Sequence, residues 1–126
     1  MLQAKLTRRT LLALLVPAAA AHAQPATRRT IDLTIAEGRV SGPELVVPAR
    51  GAPTLRLRQG EAVDLRWSTD RALDLHLHGL RSEARAEPNR PAITTVSARS
   101  AGRFAVETHD TAGRHATILY IEIHPR

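Results

Sequence analysis

From Thr30 to Ile123 apolar side chains recur at every second position within short runs, and glycine and proline cut those runs apart. Ile31, Leu33 and Ile35 alternate with polar neighbours, as do Leu55 and Leu57, then Val63, Leu65 and Trp67, then Leu73, Leu75 and Leu77. A period of two belongs to a strand with one face on a core, whereas a helix repeats its apolar residues every three to four positions. Strands are expected over 30–35, 44–47, 54–58, 62–67, 73–78, 92–97, 103–109 and 116–123, with breaks at Gln59-Gly60-Glu61 and Pro88-Asn89-Arg90-Pro91. Seven or eight short strands spaced by about a dozen residues predict an all-β antiparallel sandwich or barrel. Ser82 to Glu87 reads as at most one helical turn, stopped by Pro88. In the last strand, Ile118, Tyr120 and Glu122 are expected on one face and Leu119, Ile121 and Ile123 on the other.

The N-terminus follows a different logic. Lys5, Arg8 and Arg9 make a basic start, Leu11 to Val16 an apolar run broken by Pro17, and Ala21-His22-Ala23 a small-x-small cleavage signal before Gln24. That is the pattern of an export signal, predicted over 1–23, and the run is far shorter than the roughly 20 residues of a membrane span. Thr7-Arg8-Arg9-Thr10-Leu11-Leu12 is similar to a twin-arginine address, with general secretion as the alternative route. Residues 24–29 read as a disordered leader, 30–126 as one small domain, and the destination as the periplasm.

Removal of the signal leaves 15 arginines against 12 acidic residues, so the formal charge falls from +6 to +3. Those arginines are spread evenly, and Phe104, Trp67 and Tyr120 are the sole aromatics available for stacking on bases. Nucleic acid is therefore excluded as a partner, and nothing beyond the signal suggests a membrane. The chain has no cysteine, so an exported domain of this sequence has no disulfide, no lipid anchor and no thiolate ligand.

Histidine is where the chemistry concentrates. His76 and His78 share strand parity with Asp74, opposite the face of Leu73, Leu75 and Leu77, and His109 and His115 follow about thirty residues later. Two imidazoles at i and i+2 on one strand face can converge on one ion. A lone histidine on a sheet is ordinarily a hydrogen-bonded surface residue, but fixed parity plus a second cluster favours a metal site. His76, His78 and His109 are the expected ligands, with His115 as a fourth ligand or a gate brought back by Gly113. Glu107 shares parity with His109 and suits a weak ligand or an acceptor that orients an imidazole, as Asp74 does for His76. His124, beside Pro125, has no expected role, and His22 departs with the signal.

Thr54 to Trp67, with its Gln59-Gly60-Glu61 turn, and Ser100-Ala101-Gly102-Arg103-Phe104-Ala105-Val106-Glu107 resemble the cupredoxin family. The resemblance implies a single cupredoxin-like Greek-key antiparallel sandwich, with His78 where the family's first histidine ligand falls. The family's blue-copper cysteine position holds Thr108, and Ala116 to Leu119 supply no axial methionine, so a blue site is excluded. Within the same superfamily, multicopper oxidases carry His-x-His-Gly and a later His-x-His. Here these stand as His76-Leu77-His78-Gly79 and Glu107-Thr108-His109. One domain cannot build a trinuclear cluster, which leaves a mononuclear, non-blue site.

Copper as Cu(I) or Cu(II) is the implied cofactor, with zinc its chemical rival because three histidines and an open position also suit zinc. Three functions compete: an exported copper handler serving buffering, delivery or resistance with a periplasmic donor or acceptor protein, a small type-2-copper oxidoreductase, and a metal-free interaction module. No Ser-His-Asp or paired-carboxylate arrangement suggests hydrolysis, and the reading leans away from an enzyme without settling it.

Overall fold

The computed structural model describes residues 3, 12–20 and 28–126. The basic start, the cleavage signal and most of the leader lie outside the described residues. Residues 12–20 carry no regular secondary structure, and Leu12, Leu14, Leu15 and Val16 are exposed, so the domain does not use them as core. No helix among the described residues is long and apolar enough to cross a membrane.

Ten strands follow in order: β1 Arg29–Ala36, β2 Arg39–Ser41, β3 Leu45–Val46, β4 Thr54–Arg58, β5 Ala62–Thr69, β6 Leu73–Leu77, β7 Ser82–Ala86, β8 Ala92–Ser97, β9 Gly102–Asp110 and β10 His115–His124. The all-β expectation holds, and each of the eight expected runs forms a strand. β2 and β7 are additional. The segment read as a helical turn is instead β7, paired antiparallel with β6 over Leu73↔Ala86 to Leu77↔Ser82. Alternation explains this, since Glu83 and Arg85 point to solvent while Ala86 is buried. Cross-strand packing overrides the weak β preference of alanine, arginine and glutamate.

The strands form a four-stranded sheet, β2-β1-β5-β8, and a six-stranded sheet, β3-β4-β10-β9-β6-β7. Both are mixed, which corrects the purely antiparallel expectation. β1 runs parallel to β5 over Arg29↔Val63 to Ile35↔Thr69, and β10 runs parallel to β4 over Tyr120↔Thr54 to His124↔Arg58. Parallel neighbours need a crossover between them, and intervening strands of the opposite sheet provide it.

The inward faces meet in one core cluster. Ile31, Leu33 and Ile35 of β1 join Val63, Leu65 and Trp67 of β5 on one side, facing Leu55, Leu75, Val106, Leu119 and Ile121 from the other sheet. Each is at most 1% exposed, so the period of two is realised almost without exception. Trp67 is fully enclosed, and its indole Nε1 donates a 2.9 Å hydrogen bond to Thr94 Oγ1, which satisfies the one polar atom the ring brings inside. Ile118, expected on the outer face with Tyr120, departs from strict alternation. A bulge between Thr117 and Leu119 slips the register, so Ile118 and Leu119 are both buried.

Candidate metal centre

β6 and β9 lie side by side in the six-stranded sheet, with β10 beyond β9 and β7 beyond β6. Because Leu73, Leu75 and Leu77 face the core, Asp74 and His76 face outward, and on β9 the burial of Val106 and Thr108 sends Glu107 and His109 the same way. Register then sets two rows on that outer surface. One runs His115, His109, Asp74, Arg85 and the next Thr117, Glu107, His76, Glu83. His78 follows directly after β6, and its backbone N–H donates to the Ala105 carbonyl at 3.0 Å, which extends the ladder by one residue.

The four histidines singled out in the sequence and Glu107 thus gather on one patch. The His109 and His115 rings are 3.9 Å apart between centroids, His76 and His109 4.6 Å, and His76 and His78 6.3 Å. Glu107 Oε2 lies 3.2 Å from His78 Nε2 and 3.8 Å from His109 Nε2, so this carboxylate stands between β6 and β9 histidines. Glu107, His109 and His115 each present a donor atom within 4.8 Å of the other two. Within this group His109 Nε2 is buried and has no hydrogen-bond partner. An unpaired buried nitrogen is destabilising unless something binds it, and an imidazole nitrogen is a metal donor.

Two turns hold the histidines in position. Gly79 has φ +77°, and a Cβ there would sit 2.7 Å from Phe104 Cδ1, so only glycine lets the chain leave β6 directly after His78. The β9–β10 hairpin is fastened by Asp110. Its Oδ1 accepts from the backbone N–H groups of Ala112 and Arg114, both at 2.9 Å, and its Oδ2 from Arg114 Nε at 2.7 Å. Those Arg114 contacts, backbone first, hold the Asp110 carboxyl below the usual carboxylate range. Gly113, at φ +77°, closes the hairpin with an N–H bond to the Asp110 carbonyl, and His115 comes to lie directly across from His109.

Asp74, expected to orient His76, bonds instead to Arg85 Nη1 at 3.0 Å across β6 and β7. That bond, with Glu87, raises the Arg85 pKa further above its already high ordinary value. The residue beside His76 is Glu83, whose Oε2 is 3.6 Å from His76 Nδ1. Sequence reasoning missed Glu83 because β7 was not foreseen, although the alternation of Ser82-Glu83-Ala84-Arg85-Ala86 carried the signal. His124 is at the far end of β10 from His115, 3.3 Å from Glu122, and takes no part in the patch.

Two packed mixed sheets make a β-sandwich, with the histidine patch on the outer face of the six-stranded sheet. No family model and no curated protein matches the chain. Among solved structures it is similar to a heme-copper terminal oxidase dimer determined by cryo-EM, with a TM-score of 0.59 and 14% identity over 88% of this chain and 80% of that one. It is also similar to the blue copper oxidase from Nitrosomonas europaea, with a TM-score of 0.54 and 13% identity, covering 75% of this chain. The matched region spans 43% of that oxidase chain.

Proposed function

We propose that this chain is an exported copper-binding protein that handles copper, in buffering, delivery or resistance, through a non-blue centre built from His76, His78, His109, His115 and Glu107. The observation that carries the proposal is the buried, unpartnered His109 Nε2 beside His115 and Glu107. The donor set fits copper. It is nitrogen and oxygen throughout, suiting tetragonal Cu(II), and several imidazoles also accommodate Cu(I). Without a cysteine no copper–thiolate bond can form, so the centre would be colourless or pale and of type 2.

Zinc fits the same donors chemically. Copper is favoured because two solved structures of similar fold are a heme-copper oxidase and a blue copper oxidase. The signal segment over 1–23 supports export to the periplasm, where a copper donor or acceptor protein would be the partner.

The test is elemental analysis and EPR on protein exported from cells and purified without chelators. Bound copper, lost when His76, His78, His109 and His115 are all replaced by alanine with circular dichroism unchanged, and with no blue-copper signal, is the expected result. Absence of metal, with no uptake of added Cu(I) or Cu(II), overturns the proposal and leaves a cupredoxin-like interaction module.

A further inference from the structure

The patch offers more donors than one copper ion uses, and they fall on two sides of Glu107. On one side His109 and His115 oppose each other across β9 and β10, and with Glu107 they form a compact group of three. On the other, His76 and His78 project from β6 into an open groove shared with Gly79, Arg81, Ser82 and Glu83. There Glu83 Oε2 is 3.6 Å from His76 Nδ1 and Glu107 Oε2 is 3.2 Å from His78 Nε2. Tetragonal copper takes about four strong ligands. Four imidazoles and two carboxylates spread over four adjacent strands exceed that number.

The ion-pair pattern points the same way. Every acidic residue of the described chain other than Glu37, Glu83 and Glu107 lies within 3.9 Å of an arginine nitrogen. Glu83 and Glu107 face histidines instead, in a chain with arginines throughout. Two carboxylates left unpaired with arginine, beside four imidazoles, bring the oxygen and nitrogen donors of the patch to six, more than one tetragonal ion takes up.

We infer that the patch holds two copper ions, resting on the copper reading above: one on His109, His115 and Glu107, the second on His76, His78 and Glu83, with the Glu107 carboxylate shared between them. A carboxylate has an oxygen for each ion, and paired metal sites separated by about 3.5–4 Å are a recurring arrangement. Glu107 is suited to the shared position because Oε2 already lies within 3.8 Å of a histidine nitrogen from each group.

The experiment is titration of the full chain with copper sulfate, reading bound metal per chain by elemental analysis after gel filtration and spin coupling by EPR. The expected result is saturation at two ions, with a half-field line from a coupled Cu(II) pair in the unmodified protein. Saturation falls to one ion, without the half-field line, in both His76→Ala/His78→Ala and His109→Ala/His115→Ala. The half-field line needs no variant, so the inference is testable even if a variant fails to fold. Saturation at one ion, abolished by either double substitution, overturns the second ion and leaves the copper reading standing. No uptake at all overturns both.

Discussion

Replacing His109 by phenylalanine should make the metal-free protein more stable. The ring lies between His76 and His115, at centroid distances of 4.6 and 3.9 Å, and phenylalanine fills that slot with similar shape and stacking. What changes is Nε2, which is buried and unpaired. A buried polar atom without a partner costs about 1–3 kcal/mol relative to an apolar replacement. The His109 side chain is 30% exposed, so the lower end applies, and about 1 kcal/mol of stabilisation is expected. In a domain of about 100 residues that raises Tm by roughly 4–8 °C. Urea unfolding of both proteins in chelator at neutral pH measures it. Added copper at 100-fold the Kd of the His109 group should then stabilise the original protein through that group by about 2.7 kcal/mol, a contribution the variant lacks. A His109→Phe variant destabilised by 1 kcal/mol or more, in chelator, would show that Nε2 is already satisfied, and the reasoning from the orphaned nitrogen would be refuted.

Gly79→Ala should lose about 1–3 kcal/mol, because a positive φ is combined with a Cβ contact of 2.7 Å to Phe104, and should weaken copper uptake through His78; chemical denaturation and metal titration read the two effects. Trp67→Phe strands the buried Thr94 hydroxyl and should cost about 1–3 kcal/mol, whereas Trp67→Phe combined with Thr94→Val should recover part of that loss in a double-mutant cycle. The Asp70 carboxyl is held below its ordinary range, first by the Glu37 backbone N–H and then by Arg71. A folded pKa below the unfolded one contributes stability above about pH 4 that is lost as pH falls through the folded value. The stability gap between the original protein and Asp70→Asn should therefore shrink on acidification below about pH 4, and a gap independent of pH in that range would contradict it.

The strand faces were legible because a period of two is local: Leu73, Leu75 and Leu77 fix the outward direction of His76 without any knowledge of neighbours. Partner choice is not local. Nothing in the alternation of Ile31, Leu33 and Ile35 says that β1 will lie parallel to β5, since parity is the same in either direction. The same limit acted on the candidate site. Asp74 has the parity of a residue that could serve His76, yet Arg85 lies directly opposite it on β7 and takes its carboxylate. β2 is three residues long, too short to show a period, and the alternation of β7 is carried by Ser82, Ala84 and Ala86 with no large apolar residue, so Glu83 was passed over while Glu107 was not. Ile118 shows the other blind spot, because a bulge shifts parity at a point the composition of β10 does not mark.

Position on a sheet face also bears on what kind of copper centre the proposed donors would make. Backbone register sets His76, Glu107 and His109, the ladder beyond β6 sets His78, and the Asp110 clamp sets His115 before any ion arrives. Binding therefore needs little ordering of chain, which removes one entropic cost and favours affinity. Exposure acts in the opposite direction. The His78 side chain is 55% exposed and Glu83 78%, so water or a partner's ligand can reach an ion held there without unfolding any strand. The His109 side has a buried nitrogen and a fastened hairpin, and it should release its ion more slowly. If both groups hold copper as proposed, a rigid inner group beside an open outer group would give a graded path off the protein, which would suit an ion passed to another carrier better than one retained as a permanent cofactor. Stopped-flow transfer to a colorimetric Cu(I) chelator under reducing conditions should accordingly be biphasic. The fast phase should disappear in His76→Ala/His78→Ala. A single phase that survives that substitution would remove the distinction between the two sides.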